Sequence, residues 1–313
     1  MSNCPLCNLE AAPNSCAQKP AIRYNVRVNR HTVSQRRIPP ALREISPAGV
    51  RLLAIDLDGT LLNDSKQVSV RTVQGLACAV ERGVKVIIAS ARPPRSVRHI
   101  YQQLGLDTWQ INYNGALIWD EPGRHVIFHR PMAGDLVRSL IDAGRAKFDS
   151  MLITCEILDR WYTDRFDQTY TTETGRLFKP DVIAPLEQFC NQPITKLLLL
   201  GEKKMIDEIE PIISAMAGNF SMVRTDPELL QIMDRNVSKS AALQIVANHY
   251  QIPLENTMAI GDAPNDVGII RIAGIGVAMD NAAEVVKNAA DWIAPSNNDH
   301  GVHAAMVKFG LCD

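Results

Sequence analysis

Two carboxylates, Asp56 and Asp58, stand at the end of an apolar run in the stretch LLAIDLDGTLLND. The run is typical of a buried strand, and Gly59 behind it allows a tight turn. An aspartate carboxylate can attack phosphorus and form an aspartyl-phosphate that water later opens. We therefore predict Asp56 as a nucleophile. Asp58 would protonate the leaving oxygen and then activate the water.

Further polar residues follow other apolar runs along the chain. In a doubly wound parallel sheet, ligands bind outside the carboxyl ends of the strands, so residues at these ends are expected to converge. Lys239 and Ser90 would hold the phosphoryl oxygens and offset charge in the transition state. The residues expected at this edge, besides Asp56 and Asp58, are Ser90, Asp262, Asn265 and Asp266.

Carboxylates gathered at one edge repel one another unless a cation lies among them. A small number of oxygen ligands favours Mg²⁺, and the same ion would shield an incoming phosphate from the carboxylates. A serine nucleophile is the alternative, with Ser90 as the candidate. No histidine stands in a motif near Ser90, since His99 falls on the helix beyond, and no Ser-His-Asp order is present.

The arrangement of strands and helices predicts an α/β fold with an insertion. From residue 50, short β-branched runs alternate with helical stretches, which indicates parallel strands linked by crossover helices. Paired strands beside helices in the middle of the chain indicate a separate α+β module. We expect a core formed by 50–131 and 229–313, with a cap over 132–228.

Residues 1–49 differ in composition and predict a poorly ordered leader. The leader contains a C-x-x-C pair, Cys4 and Cys7, with Cys16 nearby, but no second close pair completes a zinc site. The scattered cysteines suit a reducing cytosol, so we expect a cytoplasmic protein.

The charge and hydropathy of the chain narrow the choice of partners. Lys and Arg number 33 against 34 Asp and Glu, which gives no charge excess for nucleic acid or an anionic membrane. The longest apolar runs are far shorter than the roughly 20 residues that span a bilayer. A small molecule is therefore the expected partner, and the oligomeric state is left open.

Five motifs follow one another along the chain: DLDGT (56–60), SAR (90–92), NG (114–115), SK (238–239) and GDAPND (261–266), the last followed by GIGVAMDNA. Taken together, they resemble those of the haloacid dehalogenase superfamily, and more narrowly those of the Cof-type phosphatases with a IIB-class cap. The resemblance runs from about residue 50 to residue 310. It implies a Rossmannoid core with an inserted α+β cap of the C2B type. It also implies a Mg²⁺-dependent phosphohydrolase acting on a small phosphorylated metabolite.

Roles for single residues follow from this resemblance. Asp56 matches the nucleophile and a metal ligand, and Asp262 matches the acidic metal ligand. Asp58 matches the general acid and base, and its backbone carbonyl would also bind the metal. Ser90 and Lys239 match the residues that bind phosphate. Asn265 matches a residue beside the metal, and Asp266 matches one that supports the metal ligands from behind. Arg92 and Asn114 match positions that contact substrate or phosphate.

The chain departs from the family pattern at several positions. Ser90-Ala91-Arg92 replaces a common Thr-Gly-Arg, which keeps the hydroxyl and adds a methyl group. Asn236, Ser240 and the pair Ala263-Pro264 stand where relatives often carry glycine. Asn tolerates positive φ and Pro suits the first turn of a helix, so the site can tolerate these changes.

Other functions stay open at this point. The same fold could transfer the phosphoryl group to an acceptor or cleave a carbon–halogen bond, and a ligand-binding or regulatory module with incidental turnover is a further alternative. Sugar phosphates, nucleotides and phosphorylated cofactors are all candidate substrates. Trp161, Tyr162 and Arg165 in the insertion could face substrate, although packing is the simpler interpretation.

Overall fold

The computed structural model describes residues 49–167, 169–170 and 172–313. They all belong to one compact unit, Pro39–Asp313. Except for Gly49, the expected leader lies outside the described residues, and so do Cys4, Cys7 and Cys16. Within the described ranges, no helix combines the length and the apolar character needed to cross a bilayer.

Strands and helices alternate along most of the chain. The strands are β1 (Leu52–Ile55), β2 (Lys85–Ile88), β3 (Trp109–Asn112), β4 (Leu117–Asp120), β5 (His125–His129), β6 (Leu152–Ile157), β7 (Arg160–Thr163), β8 (Val182–Ile183), β9 (Lys196–Leu200), β10 (Phe220–Asp226), β11 (Leu229–Asp234), β12 (Thr257–Gly261), β13 (Ile275–Met279) and β14 (Trp292–Ala294). The helices are α1 (Val70–Glu81), α2 (Pro94–Leu104), α3 (Gly134–Lys147), α4 (Glu173–Leu177), α5 (Lys203–Ser214), α6 (Lys239–His249), α7 (Val267–Ile272), α8 (Glu284–Lys287) and α9 (Gly301–Lys308).

The core is a five-stranded parallel sheet in the order β14-β13-β12-β1-β2. Both faces of β1 are buried, because side chains of α1, α2 and α9 pack on one face of the sheet and those of α6, α7 and α8 pack on the other. A central strand covered on both sides reads as a continuous apolar run, as LLAI does here. The predicted doubly wound parallel sheet is confirmed.

The cap is built on a six-stranded sheet in the order β10-β11-β9-β6-β7-β8. Apolar residues of α3 and α5 pack against one face of this sheet. The opposite face carries a smaller cluster of leucines together with Tyr170. This layer of two helices on one sheet agrees with the predicted inserted α+β cap.

The expected boundary between cap and core needs a correction. We predicted that the core resumes at residue 229, but β11 pairs with both β9 and β10 and lies inside the cap sheet. All six residues of β11 are buried by this position. The cap sheet therefore extends to Asp234. A short apolar run in the sequence predicts a strand but does not predict which sheet that strand joins.

A small antiparallel sheet, β3-β4-β5, connects the core to the cap. Its three strands follow one another along the chain, and a bridge between Ala89 and Ile111 links the sheet to the segment after β2. A second bridge, between Met132 and Ile194, marks the entry into the cap. Several segments that follow core strands therefore meet where the chain crosses to the cap.

We expect the cap to depend on its own apolar core. Leu199 on β9 is fully buried in the cluster between the sheet and its helices, so Leu199→Ala should lower the free energy of unfolding by about 2 to 5 kcal/mol. Leu177→Ala is the matched control, because that leucine is 59% exposed. Urea unfolding of both variants measures the difference, and equal losses would contradict this description of the cap.

Candidate active site

The loop after β1 carries the first two carboxylates of the site. Asp56 directly follows the strand, and its carbonyl accepts a hydrogen bond from the Leu61 backbone N–H at 3.2 Å, which closes a tight turn. Gly59 within the turn has φ +79°, and a Cβ there would lie 2.4 Å from Oδ2 of Asp262. Glycine at this position therefore lets the loop approach the carboxylate that follows β12.

Lys239 connects two buried carboxylates at the centre of the site. Its Nζ lies 2.5 Å from Oδ1 of Asp56 and 2.6 Å from Oδ1 of Asp266. The lysine is the first residue of α6, and its side chain is only 1% exposed. Ser238 caps this helix by accepting the Ala241 N–H, which fixes where α6 begins and where Lys239 is presented.

The charges of this group shift one another's pKa values. Burial raises the pKa of Asp56 well above its usual value, and repulsion from Asp266 adds to the rise, while Lys239 opposes it. The pKa of Lys239 is raised in spite of burial, because Asp266 and Asp56 favour its charged form. One ammonium therefore does not fully offset the negative charge gathered here.

Asp262 and Asp266 complete the acidic group from the loop after β12. Oδ2 of Asp266 accepts the backbone N–H groups of Asp262 and Ala263 at 3.2 and 3.0 Å, so both oxygens of Asp266 are engaged. Thr60 donates its hydroxyl to Oδ1 of Asp262 at 2.6 Å. The pKa of Asp262 is raised, by burial first and also by the charge of Asp266.

Carboxylate oxygens of Asp56, Asp262 and Asp266 lie within 4.8 Å of one another. Since Asp266 is occupied by Lys239 and backbone amides, Asp56 and Asp262 are the two carboxylates that could hold a metal ion. The role of Asp266 as a support behind the metal ligands stays a prediction.

The side chain of Asp58 forms hydrogen bonds away from the acidic group. Arg92 donates two hydrogen bonds to it, from Nε to Oδ2 at 2.7 Å and from Nη2 to Oδ1 at 2.5 Å. Lys66 also donates to Oδ1, at 2.9 Å. Burial raises the pKa of Asp58, but the hydrogen bonds and charges of Arg92 and Lys66 outweigh it, so the pKa is lowered. The Asp58 side chain is 39% exposed and can be reached by a substrate.

The other predicted phosphate and substrate residues form a connected chain of contacts. Ser90 is buried and its Oγ accepts the Arg92 N–H at 3.1 Å. Asn114 donates its backbone N–H to the Ser90 carbonyl at 3.0 Å, and its Oδ1 accepts from Nδ2 of Asn265 at 2.8 Å. Asn114 has φ 56°, in the left-handed region that asparagine tolerates.

Sequence reasoning missed Thr60, Lys66 and Asn281 as individual contributors. Thr60 belongs to the DLDGT motif, and Asn281, which donates to the Gly59 carbonyl at 2.8 Å, belongs to the AMDNA stretch, so motif position could have indicated both. Lys66 stands in a loop of exposed polar residues, and its spacing from Asp58 gives no comparable signal.

Two of the three cap residues considered for substrate contact have structural roles. Tyr162 is buried in the cap core, and Arg165 donates to the backbone carbonyl of Met151 at 2.8 Å. Trp161 lines a cavity of about 20 Å³ together with Thr154 and Glu156. That volume is about enough for a single water molecule.

A doubly wound core with a buried Asp-Lys-Asp group at the carboxyl edge of its sheet, beneath a cap, defines a capped α/β hydrolytic enzyme. A profile of the haloacid dehalogenase-like hydrolase family matches residues 53–306. The chain belongs to this family, and curated phosphatases among its relatives support the resemblance to phosphatases of the superfamily.

Named phosphatases and a solved structure support the assignment of this chain to the family. Phosphatase YwpJ of Bacillus subtilis (strain 168) is 30% identical over 293 residues, which cover 83% of this chain and 99% of that protein. The 5-amino-6-(5-phospho-D-ribitylamino)uracil phosphatase YitU of the same organism is 28% identical over 265 residues, covering 82% and 97%. A solved haloacid dehalogenase-like hydrolase from Bacteroides thetaiotaomicron has a TM-score of 0.76 at 25% identity, covering 83% and 99%. The protein is thus a phosphatase.

The close approach of Gly115 to the start of α6 gives a test of how the site is built. Gly115 has φ +101°, and a Cβ there would lie 2.3 Å from the Ser238 carbonyl oxygen. Gly115→Ala should displace Ser238 and the adjacent Lys239, and should lower kcat/KM for an aryl phosphate by about tenfold or more.

Gly83→Ala is the matched control for this substitution. Gly83 also has positive φ, +84°, but a Cβ there would meet nothing within 4 Å. Backbone strain alone should cost about 1 to 2 kcal/mol of stability and leave kcat/KM unchanged. Equal kcat/KM values for the two variants would show that the backbone contact with Ser238 does not position Lys239.

Proposed function

We propose that the protein hydrolyses a small phosphorylated metabolite through an aspartyl-phosphate on Asp56. The observation that carries the proposal is the buried contact of Asp56 with Lys239 at the end of β1. Oδ1 of Asp56 is bound to Lys239, and Oδ2 accepts no hydrogen bond from any residue that the structure describes. One carboxylate oxygen is thus held in place and the other is available for attack.

In the first half-reaction, an oxygen of Asp56 forms a bond to phosphorus and the bond from phosphorus to the leaving oxygen breaks. Asp58 donates the proton that the leaving oxygen needs. The Lys239 ammonium and the Ser90 hydroxyl, both buried beside the site, would bind the phosphoryl oxygens and stabilise their charge. The leaving group then departs as an alcohol.

In the second half-reaction, water attacks the phosphorus of the aspartyl-phosphate and Asp58 takes the proton from that water. Inorganic phosphate leaves and the Asp56 carboxylate is restored. Asp58 must be ionised to act as this base, and its hydrogen bonds with Arg92 and Lys66 favour the ionised form. The cap would limit the access of bulk water during the first half-reaction.

The residues present fit a bound Mg²⁺ ion. Asp56 and Asp262 offer carboxylate oxygens, and their raised pKa values reflect buried negative charge that a cation would offset. Asp262 has Thr60 as its hydrogen-bond donor and no cation within salt-bridge distance among the described residues. Asp56, Asp262 and the Asp58 carbonyl would hold the ion, which would supply charge to neutralise the phosphate.

The substrate is proposed only as a class. YitU is named for a phosphorylated ribityl compound, and that name applies to YitU. For this chain we retain sugar phosphates, nucleotides and cofactor phosphates. The expected cytosolic location also stays a prediction, and it is compatible with the free cysteines 78, 155, 190 and 312.

Replacement of the nucleophile gives the direct mutational test. Asp56→Asn removes the attacking oxygen at nearly constant shape, so kcat for p-nitrophenyl phosphate in the presence of Mg²⁺ should fall by about a thousandfold or more. Asp142→Asn, an exposed aspartate on α3, is the control and should keep wild-type activity. Full activity in Asp56→Asn would overturn the covalent mechanism.

Metal dependence is a separate prediction. Dialysis against a chelator should abolish hydrolysis of p-nitrophenyl phosphate, and added Mg²⁺ should restore it, because the acidic group then regains its counter-ion. Isothermal titration of the dialysed protein with Mg²⁺ should show one site that is lost in Asp262→Asn. Activity that persists after exhaustive chelation would contradict the metal assignment.

A further inference from the structure

Lys196, on β9 of the cap sheet, is a buried cation that forms no ion pair with a carboxylate of the described residues. Its side chain is 7% exposed. Its Nζ donates to the Ala91 carbonyl at 3.3 Å and to Oε1 of Gln231 at 3.1 Å, and lies 5.1 Å from the centre of the Tyr113 ring. Buried lysines are rare unless paired, and Lys239 in the same protein has two carboxylates.

Glu156 forms no direct ion pair with Lys196 among the described residues. Arg95 Nη2 donates to the two oxygens of Glu156 at 2.7 and 2.9 Å, and the Tyr113 hydroxyl donates to Oε2 at 3.0 Å. Arg95 is itself 8% exposed. Lys196 and Arg95 thus share the buried carboxylate of Glu156, while Asp159, at 16% exposure, pairs with both Arg95 and Arg98.

Two nitrogens of the Arg95 guanidinium group have N–H donors that are not used within the described residues. Its Nε and Nη1 are buried and have no hydrogen-bond partner in the part of the chain that the structure describes. Asp159 lies 3.8 Å from Nη1, but its oxygens accept from the Arg95 backbone N–H at 2.7 Å and from Arg98 at 2.8 Å. Unused buried donors on a cation favour an additional acceptor at this place.

The pKa of Lys196 supports the same conclusion. It is lowered to about 8, because burial disfavours the ammonium; Glu156 opposes this and Arg95 adds to it. The lowered pKa of Lys196 thus reflects mainly its burial, and a bound anion would favour the charged form of the lysine.

This group lies beside the loop that holds the phosphate-binding residues. Ala91, whose carbonyl accepts from Lys196, stands between Ser90 and Arg92. Arg92 in turn grips Asp58, the residue proposed to protonate the leaving oxygen. Lys196 therefore contacts the same short segment, 90–92, that we propose to bind phosphate.

We propose that Lys196 and Arg95 bind an anionic group on the leaving group, so that the preferred substrates are phosphomonoesters of a molecule with a second negative charge, a carboxylate or another phosphate. This inference rests on the proposed function and narrows its substrate class. Lys196 acts in it as a specificity residue and takes no part in the transfer of the phosphoryl group.

The test compares kcat/KM of the full-length protein, with Mg²⁺, on matched substrates. The carboxylate pair is 6-phosphogluconate and glucitol 6-phosphate, and the phosphate pair is fructose 1,6-bisphosphate and fructose 6-phosphate. A charge-assisted hydrogen bond predicts a preference of about tenfold or more for the anionic member of one pair, and the pair that shows it identifies the anion. No preference in either pair would overturn the proposal.

The variants Lys196→Met and Lys196→Gln should bring that ratio of kcat/KM values close to one, with thermal unfolding as a check on folding. Lys204→Met, an exposed lysine on α5, should keep the wild-type ratio. A ratio unchanged in the Lys196 variants would contradict the role of Lys196. Hydrolysis of p-nitrophenyl phosphate that depends on Asp56 distinguishes failure of the proposed function from failure of this inference. Absence of that hydrolysis refutes the proposed function. Its presence without a preference for the anionic substrates refutes only the anion-binding inference.

Discussion

The site depends on the buried contact of Lys239 with Asp56 and Asp266. Transfer of three charged side chains out of water is costly, and removal of one partner from such a group typically destabilises a protein by about 3 to 5 kcal/mol. The contact joins the end of β1, the start of α6 and the turn before α7, which are far apart in the chain. It therefore holds Asp56, which we propose as the nucleophile, and Asp266 in one arrangement.

The backbone around this contact is shaped so that the loops can meet. Gly59 leaves room for Asp262, and Gly115 leaves room for the carbonyl of Ser238. Both glycines have positive φ, which a side chain would strain. The same loops carry two hydrogen-bond acceptors: Asn265 donates to the side chain of Asn114, and Asn281 donates to the Gly59 carbonyl. Close backbone packing and hydrogen bonding thus hold the carboxylates near one another against their repulsion.

The core and most of the site could be predicted from sequence, because each depends on local patterns. Apolar runs that end in polar residues located β1 and β12, and the rule that ligands bind at the carboxyl ends of parallel strands placed Asp56 and Asp262 together. Three features depended on distant partners. The pairing of β11 in the cap sheet, the grip of Arg92 on Asp58 and the cluster around Lys196 leave no periodic signal in the chain.

The core and the cap contribute different residues to the proposed site. The core supplies the buried group of Asp56, Lys239 and Asp266, which we propose for phosphoryl transfer. The cap supplies Lys196, whose Nζ donates to the Ala91 carbonyl after β2, and Glu156, which accepts from Arg95 on α2 of the core. The proposed selectivity thus draws on charges from both domains where they meet.

The central claim is that the phosphoryl group passes through Asp56. Rapid acid quenching during turnover, followed by borohydride reduction and peptide mass spectrometry, converts an aspartyl-phosphate to homoserine and locates it. The account predicts homoserine at position 56, only in samples that received substrate. Homoserine at another aspartate, or none at position 56 during active turnover, would contradict it.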